Sequence, residues 1–243
     1  MGLAGYGARV EGLHAVLAAA AAGRVETLFI EEGRRRRHEV RELIAMVGAE
    51  RVRVVDDVRS LAETAAPQGV VAECRPIVPV ALDSLAGPEA ALMILDHVED
   101  PQNLGAVARS SLAAGLSGLV ISGRRAAPLS AAAFKAAAGA LERLPVAVVG
   151  SIPEALRRLR RLGVWVVGLE PAAEEGLFGL ELFTEPVAVV VGAEGSGLSR
   201  LTAERCDVLV AVPMAEGTES LNASVTAALA AFEIMRVRSG PPG

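Results

Sequence analysis

Three segments of this sequence place polar residues or glycines directly after runs of apolar residues. The first extends from Asp96 to Arg109 and follows the apolar run 91–95. Pro101 and Asn103 favour a turn and a helix start, so Arg109 would lie about two turns into that helix. There the amide and the guanidinium could contact a phosphate or a ribose. Alternatively, Asn103 is a helix cap and Arg109 a solvated side chain.

The second segment, residues 189–199, follows another apolar run and contains Gly192, Glu194, Gly195 and Gly197. Glycines allow a ligand to approach the backbone closely. The dinucleotide spacing G-x-G-x-x-G is absent, and no Gly-Lys-Ser/Thr of a P-loop follows. Because Glu194 would repel a phosphate, the loop indicates a cofactor without phosphates. An ordinary turn between a strand and a helix is the alternative.

The third segment, residues 212–225, again follows an apolar run, and a helix is expected to begin near Ser220–Asn222. Free backbone N–H groups at a helix start can bind a polar ligand. Simple helix capping by Ser220 or Asn222 is the alternative. Ligand sites of parallel sheets form at the carboxyl ends of strands, so the three segments could converge on one pocket.

The elements that must position these segments follow from hydrophobic patterning. Six apolar runs, separated mostly by helical stretches, predict a parallel sheet covered on both faces, with strands over 91–95, 118–121, 146–149, 164–167, 187–191 and 208–212. A long final helix is predicted over 222–238. Together they form a domain over 90–243.

The front of the chain, residues 1–75, predicts a separate small α/β domain. Its predicted helices cover 12–22, 37–47 and 58–64, and its predicted strands cover 25–30, 52–55 and 70–73. Three prolines, at 76, 79 and 88, favour a linker over 76–89.

Composition limits the classes of protein. Of 243 residues, 52% are hydrophobic and 22% charged, so a substantial core can form. The net charge of −5 argues against a broad electrostatic grip on nucleic acid, and 3% aromatics argue against base-stacking platforms. Arginine supplies all but one of the basic residues and suits phosphate. The run Arg34–Arg37 either contacts nucleic-acid phosphates or is a solvated basic loop.

Other residue types suggest structural roles. Cys74 and Cys206 form no C-x-x-C pair and the histidines are scattered, so we expect two buried thiols and no metal site. Trp165 lies in an apolar run and is predicted to be core. His97 is expected to be structural. No secretory or membrane-spanning pattern occurs, so a cytoplasmic protein without membrane contact is expected.

Taken in order, the three segments resemble the motifs of a known family. Those motifs, Asn103-x-Gly105-x-x-x-Arg109, Gly192-x-Glu194-Gly195-x-Gly197 and Ser220-Leu221-Asn222-x-Ser224-Val225, are similar to those of the SpoU/TrmH RNA 2′-O-methyltransferases. Gly12–Leu17 and Gln68–Ala72 resemble the start and end of the small substrate-binding domain of RlmB-type members. The resemblance therefore covers nearly the whole chain.

The resemblance implies a fold, a cofactor and an assembly. It implies an α/β protein with a small substrate-binding domain and a parallel-sheet catalytic domain that carries a C-terminal trefoil knot. S-adenosylmethionine would bind bent in that knot, mostly through backbone groups, at Gly192, Gly197, Val212, Met214 and Leu221. A homodimer with the final helix at its interface is also implied. Glu216 and Glu219 depart from the usual third motif by adding charge, which leaves RNA affinity there open.

The implied reaction is methyl transfer to a ribose 2′-hydroxyl of structured RNA, most readily a guanosine of 23S ribosomal RNA. Arg109, Asn103, Glu194, Ser220 and Asn222 would act in catalysis. Arg109 is implied as a base, yet guanidinium normally stays protonated, so phosphate binding and alkoxide stabilisation are the alternative. A tRNA methyltransferase, a non-catalytic ribosome-associated RNA-binding protein and a nucleotide-dependent oxidoreductase remain competing interpretations.

Overall fold

A computed structural model of the protein describes residues 5–124, 126–195, 197–215 and 220–240. The small domain is built on a four-stranded mixed sheet in the order β1-β4-β2-β3, whose strands lie between Arg9 and Cys74. Its strands and helices are β1 (Arg9–Glu11), α1 (Leu13–Ala21), β2 (Val25–Glu31), α2 (His38–Val47), β3 (Val52–Val55) and β4 (Val70–Cys74). The predicted α/β unit is therefore confirmed in type.

Two short sequences that suggested the small domain meet in space. Gly12 lies in the turn between β1 and α1 and has a φ of +82°, a conformation that favours glycine. Its N–H donates a hydrogen bond to the carbonyl of Val70 over 3.2 Å. The Gln68 side chain then accepts a hydrogen bond from the Leu13 N–H over 3.2 Å. The start of α1 is therefore held by the segment that leads into β4.

One predicted helix of the small domain is wrong. Over 58–64 the chain forms only a 3₁₀ turn at Arg59–Leu61. Asp57 accepts a hydrogen bond from the Arg59 N–H over 2.8 Å, and Val58 is the one fully buried side chain of the turn. A single buried anchor is too little apolar surface to hold a longer helix.

The large domain contains a seven-stranded sheet in the order β7-β6-β5-β10-β8-β11-β9, whose strands lie between Ala91 and Ala211. Every pairing described in this sheet is parallel. Its elements are β5 (Ala91–Leu95), α3 (Pro101–Ala113), β6 (Gly118–Ser122), α4 (Ala131–Ala137), β7 (Val146–Val149), α5 (Ile152–Arg161), β8 (Trp165–Leu169), β9 (Glu175–Gly176), β10 (Val187–Val191), α6 (Arg200–Ala203), β11 (Val208–Ala211) and α7 (Ala223–Ser239).

Side chains of the central strands contribute to two apolar layers, one on each face of the sheet. In β5, Met93 and Leu95 join the core beneath α3, α4 and α7, whereas Leu92 and Ile94 join the core beneath α5. Continuous apolar strands are what a sheet covered on both faces requires. The first core also extends into the small domain, where it includes Val10.

Trp165 departs from its predicted core position. It is the first residue of β8 and is 45% exposed. Val164 and Val166 on either side of it are buried, so Trp165 is the one residue of the apolar run 164–167 that lies outside the core.

The predicted linker 76–89 packs against both domains. Ile77 pairs with Tyr6, and the Val80 N–H donates to the carbonyl of Val146 over 2.9 Å. Leu82 and Leu85 form a 3₁₀ turn whose side chains enter the α5-side core. No helix among the described residues is long and apolar enough to cross a bilayer.

Candidate functional site

The N-terminal end of α3 presents the first motif. Asp100 caps the helix by accepting a hydrogen bond from the Gln102 N–H over 2.8 Å, and Pro101 occupies the first turn. Asn103 is therefore not the cap, and its amide is available for other partners. Gly105 faces α4, where a Cβ would collide with the carbonyl of Ala133. The motif glycine thus permits close packing of the two helices.

The glycine loop after β10 folds back on itself. Ala193 and Gly197 pair across the loop, with the Gly197 N–H donating to the Ala193 carbonyl over 3.0 Å. A Cβ at Gly192 would overlap the Gly197 backbone, and Gly197 has φ +64°. Both glycines are required because the backbone crosses itself closely at this point.

Asn222 performs two tasks at the start of α7. Its Oδ1 caps the helix by accepting a hydrogen bond from the Ser224 N–H over 2.8 Å. This fixes the amide orientation, so Nδ2 points towards the other two motifs. Its Nδ2 donates to Asn103 Oδ1 over 3.1 Å and also to Glu194 Oε1. Capping and a role in the site are therefore compatible.

Glu194 joins all three motifs. Its Oε1 accepts hydrogen bonds from Asn103 Nδ2 over 3.2 Å, from Asn222 Nδ2, and from the Ala223 N–H over 3.3 Å. These donors are neutral amides, and the carboxylate lies at the N-terminal end of α7, where the helix dipole favours negative charge. The network fixes the relative positions of α3, the glycine loop and α7.

Beside this network lies a cavity of about 330 Å³. Its walls include Ser220, Glu194 and every residue predicted to hold the cofactor. The predicted cofactor residues are Gly192, Gly197, Val212, Met214 and Leu221. That volume is at the lower end of the roughly 300–1,000 Å³ of small-molecule sites. Residues 216–219, where Glu216 and Glu219 were noted, lie outside the described part of the chain.

Arg109 does not share this cavity. It is an exposed residue of α3, and none of the contacts described for residues 5–124, 126–195, 197–215 and 220–240 joins it to Asn103 or Glu194. Six residues separate it from Asn103, which is roughly 600° of helical rotation, so the two side chains leave different faces. The structure thus brings four of the five predicted catalytic residues together and leaves Arg109 outside.

Two carboxylates near the site were missed by the sequence analysis. Asp96, at the end of β5, is buried and accepts a hydrogen bond from the Ser199 N–H over 2.9 Å, which anchors the end of the glycine loop. Its Oδ1 also lies 2.9 Å from His97 Nδ1. Glu170, directly after β8, lines the cavity. The strand-end rule that selected the three motifs also applies to Glu170.

A larger cleft of about 830 Å³ lies between the small and the large domain, beside their packed boundary. Its walls include Arg9 and Glu73 from the small sheet and Ser122 and Ser130 from the large domain, but no residue of the three motifs. Among the described residues, no group of three or more His, Cys, Asp or Glu side chains could hold a metal ion.

Comparisons with known proteins assign this two-domain chain to a family. The SpoU rRNA methylase family model matches residues 90–232, and the model for RNA 2′-O ribose methyltransferase substrate binding matches residues 9–79. The chain therefore belongs to the SpoU rRNA methylase family.

Individual relatives agree over nearly the full length. The chain is 37% identical to a 23S rRNA (guanosine-2′-O-)-methyltransferase RlmB of Ralstonia nicotianae, over 95% of this chain and 96% of that protein. It is similar to the SpoU methyltransferase AviRb of Streptomyces viridochromogenes in complex with AdoMet, with TM-score 0.81 and 28% identity, over 96% of this chain and 91% of that one.

A third relative carries the same cofactor. The AdoMet-bound rRNA methyltransferase of Sinorhizobium meliloti aligns with TM-score 0.76 and 26% identity, over 93% of this chain and 85% of that one. The protein is thus an S-adenosylmethionine-dependent RNA methyltransferase, as the motifs predicted.

Proposed function

We propose that this protein transfers the methyl group of S-adenosylmethionine to the 2′-hydroxyl of a guanosine in 23S ribosomal RNA. The Asn103–Glu194–Asn222 network carries the proposal because it joins the three motifs beside one cavity. The full-length similarity to an RlmB enzyme supports the choice of RNA and base. The small domain supports a large structured substrate, since its family model is the substrate-binding one.

The cavity is suited to this cofactor. Its charged lining residues among those described are two carboxylates, Glu170 and Glu194, and no lysine, arginine or histidine accompanies them. Such a lining disfavours phosphate and suits a donor that carries a positive sulfonium. The glycine loop offers backbone groups without side-chain obstruction. Gly192, Gly197, Val212, Met214 and Leu221 would hold the cofactor, whose sulfonium supplies an already activated methyl group.

The strand order supports the implied trefoil knot. The chain forms β8, then β10 between β5 and β8, then β11 on the far side of β8. After β11 it returns to α7, which packs against α3. A path that passes back between strands already in place is what a knotted chain requires. The glycine loop and the start of α7 would be the knotted segments around the cofactor.

The residues of this protein would act mainly by aligning the ribose hydroxyl with the methyl group of the cofactor. Asn103 and Asn222 hold fixed amides in the network beside the cavity. The described hydrogen bonds use both N–H groups of the Asn222 amide but only one of Asn103, so the Asn103 amide can also orient a ribose hydroxyl. Alignment of two reactants can supply of order 7–11 kcal/mol of the barrier reduction in favourable cases. Ser220, which is exposed on the cavity wall, can accept or donate a hydrogen bond to the same ribose. The hydroxyl proton leaves to a base or to water.

A homodimer would complete the site. Val225, Phe232 and Met235 are exposed apolar residues of α7, and their spacing places them along one side of the helix. Because α7 packs beside α3, a second copy seated on that face would lie near Arg109. The guanidinium could then serve the partner's cavity by binding a phosphate and stabilising the developing alkoxide.

The dimer has a direct test. Phe232→Asp should give a monomer in sedimentation velocity, whereas Leu201→Asp, which alters an exposed leucine of α6, should leave the dimer intact. Equal behaviour of the two variants would contradict the use of α7 as the interface.

The activity is tested through Arg109. Arg109→Ala should abolish methylation of ribosomal RNA from a strain that lacks this protein, while calorimetry still detects S-adenosylmethionine binding. Mass-spectrometric mapping would identify the methylated nucleotide. Retained turnover would remove Arg109 from the chemistry, and absence of methylation by the wild-type protein would favour a non-catalytic RNA-binding role.

A further inference from the structure

Glu170 occupies a central position that none of the three motifs explains. It follows β8 directly, and β8 lies between β10 and β11 in the sheet. Register pairs Val190 of β10 with Gly168, and Val210 of β11 with Leu169. Residue 170 therefore emerges between the glycine loop and the loop that contains Val212, which are the two loops proposed to hold the cofactor.

The backbone of Glu170 is fixed on both sides. Its N–H donates to the Val210 carbonyl over 3.0 Å, and its carbonyl accepts from the Ala173 N–H over 3.1 Å. The side chain is half-buried, lines the cavity, and lies against the glycine loop, where a Cβ on Gly197 would come within 3.1 Å of Oε2. The carboxylate is thus held at the cavity wall.

The two carboxylates of the cavity differ in their partners. Glu194 is engaged by the amides of Asn103 and Asn222 and by the Ala223 N–H. For Glu170, no side-chain hydrogen bond or ion pair occurs within the described ranges 5–124, 126–195, 197–215 and 220–240. A half-buried carboxylate without a partner acts as a source of negative potential towards whatever the cavity contains.

The reaction changes the charge of the cofactor. At neutral pH, S-adenosylmethionine carries a sulfonium, an ammonium and a carboxylate, and so bears one net positive charge. Transfer of the methyl group breaks the sulfur–methyl bond and leaves a neutral thioether, so S-adenosylhomocysteine has no net charge. A cavity whose charged lining residues, among those described, are both carboxylates therefore interacts differently with the donor and with the product.

We propose, given the cofactor placement proposed above, that Glu170 selects the cationic methyl donor over the neutral thioether product. Its charge would favour donor binding and weaken product retention after each transfer. The amides around Glu194 set geometry, whereas Glu170 sets the charge preference of the cavity. It is a cofactor-selecting residue and takes no part in bond making or breaking.

Calorimetric titration of three ligands tests this selection. Glu170→Gln should weaken binding of S-adenosylmethionine and of sinefungin, an analogue with an ammonium in place of the methyl sulfonium, by about three- to tenfold. Binding of S-adenosylhomocysteine should change by less than about twofold. Glu174→Gln, an exposed carboxylate four residues further on, is the matched control and should change none of the three.

Other outcomes distinguish failure of the proposed selection by Glu170 from failure of the proposed cofactor placement. An equal loss for all three ligands would mean that Glu170 binds a shared group such as the ribose, and no loss would mean that it does not act on the cofactor; either overturns the selection. Val212→Phe should fill the cavity and block all three ligands. If Val212→Phe binds normally, the cofactor placement itself is wrong.

Two further measurements keep the test decisive if Glu170→Gln folds poorly. Glu170→Asp retains the charge and should retain most of the preference for the donor. In the wild-type protein, the ratio of product to donor dissociation constants should decrease as salt rises from 0.05 to 0.5 M, because screening weakens the potential of a half-buried charge. A ratio independent of salt would contradict the proposal.

Discussion

The two domains of this protein use charge in opposite ways. Among the described residues, the charged side chains that line the cavity of the large domain are two carboxylates, and the amides of Asn103 and Asn222 beside the cavity hydrogen-bond to each other. The small domain presents Arg35, Arg36 and Arg37 to solvent, at the start of α2. Affinity for a polyanion and alignment of a methyl donor make opposite electrostatic demands, so the separation into two domains resolves a conflict that one site would face.

The domains nevertheless share a packed boundary. Arg24 of the small domain forms a nearly buried ion pair with Glu142 of the large domain, and its guanidinium lies 5.9 Å from the ring centroid of Phe134. Burial acts to lower the pKa of Arg24, but the hydrogen bond and the negative charge of Glu142, with smaller contributions from Cys74 and Tyr6, together outweigh it, so the pKa is raised. The two domains therefore differ in the charge they present although they share one continuous apolar core.

The largest expected effect comes from removing the Arg24–Glu142 ion pair at this boundary. Glu142→Ala leaves Arg24 buried without its counter-charge, which should lower the free energy of unfolding in urea by about 3–5 kcal/mol. The exposed pair Glu154–Arg157 of α5 supplies the control, and Glu154→Ala should not move the urea midpoint measurably. Similar effects of the two variants would mean that the boundary does not couple the domains.

The next effect separates alignment from stability in the large domain. Asn222→Ser keeps a capping oxygen for α7 but removes the amide that donates to Asn103 and Glu194. The rate of methylation should fall about 100-fold, since loss of one fixed donor in an active site has this size. Circular dichroism should report little change in stability. A comparable loss of stability would assign Asn222 to folding alone.

A smaller effect is expected from the basic run of the small domain. The double variant Arg35→Ala, Arg36→Ala should weaken RNA binding and lower the salt dependence of the binding constant by about 0.7–0.9 for each lost phosphate contact. Filter binding across a salt series measures this slope. Arg59, exposed but paired with Asp57, is the matched control, and Arg59→Ala should leave the slope unchanged. An unchanged slope in the double variant would identify residues 34–37 as a solvated loop.

A pH-dependent effect concerns a thiol in each domain. Burial raises the pKa of Cys74 and of Cys206 to about 12. In the unfolded chain these thiols ionise near pH 8.5. Between these values the unfolded state binds fewer protons, so the free energy of unfolding should decrease as pH rises from about 8.5 towards 12.

Urea unfolding at pH 8, 9 and 10 would measure that decrease. A Cys74→Ala, Cys206→Ala variant should show a shallower decline over the same range. Tyr6, whose pKa burial also raises to about 12, should contribute only above pH 10. An identical pH dependence in both proteins would show that the thiols are solvated in the folded state.

The sequence predicted the long apolar strands well and the short polar ones poorly. Strands 91–95 and 187–191 occur at their predicted bounds because burial on both faces demands uninterrupted apolar residues. β1 was missed because two of its three residues, Arg9 and Glu11, are charged. Glu11 is nevertheless fully buried, where it accepts a hydrogen bond from the Thr64 N–H over 3.1 Å.

Residue types and spacing by themselves determined the family, the parallel sheet and four of the residues at the site, since strand ends and glycine positions are local properties of the chain. Tertiary structure decided the rest. It placed the Asn222 amide on Glu194, turned Arg109 away from the cavity of its own chain, and set Glu170 between two loops. Those outcomes depend on strand order and helix rotation, which bring together residues that are distant in sequence.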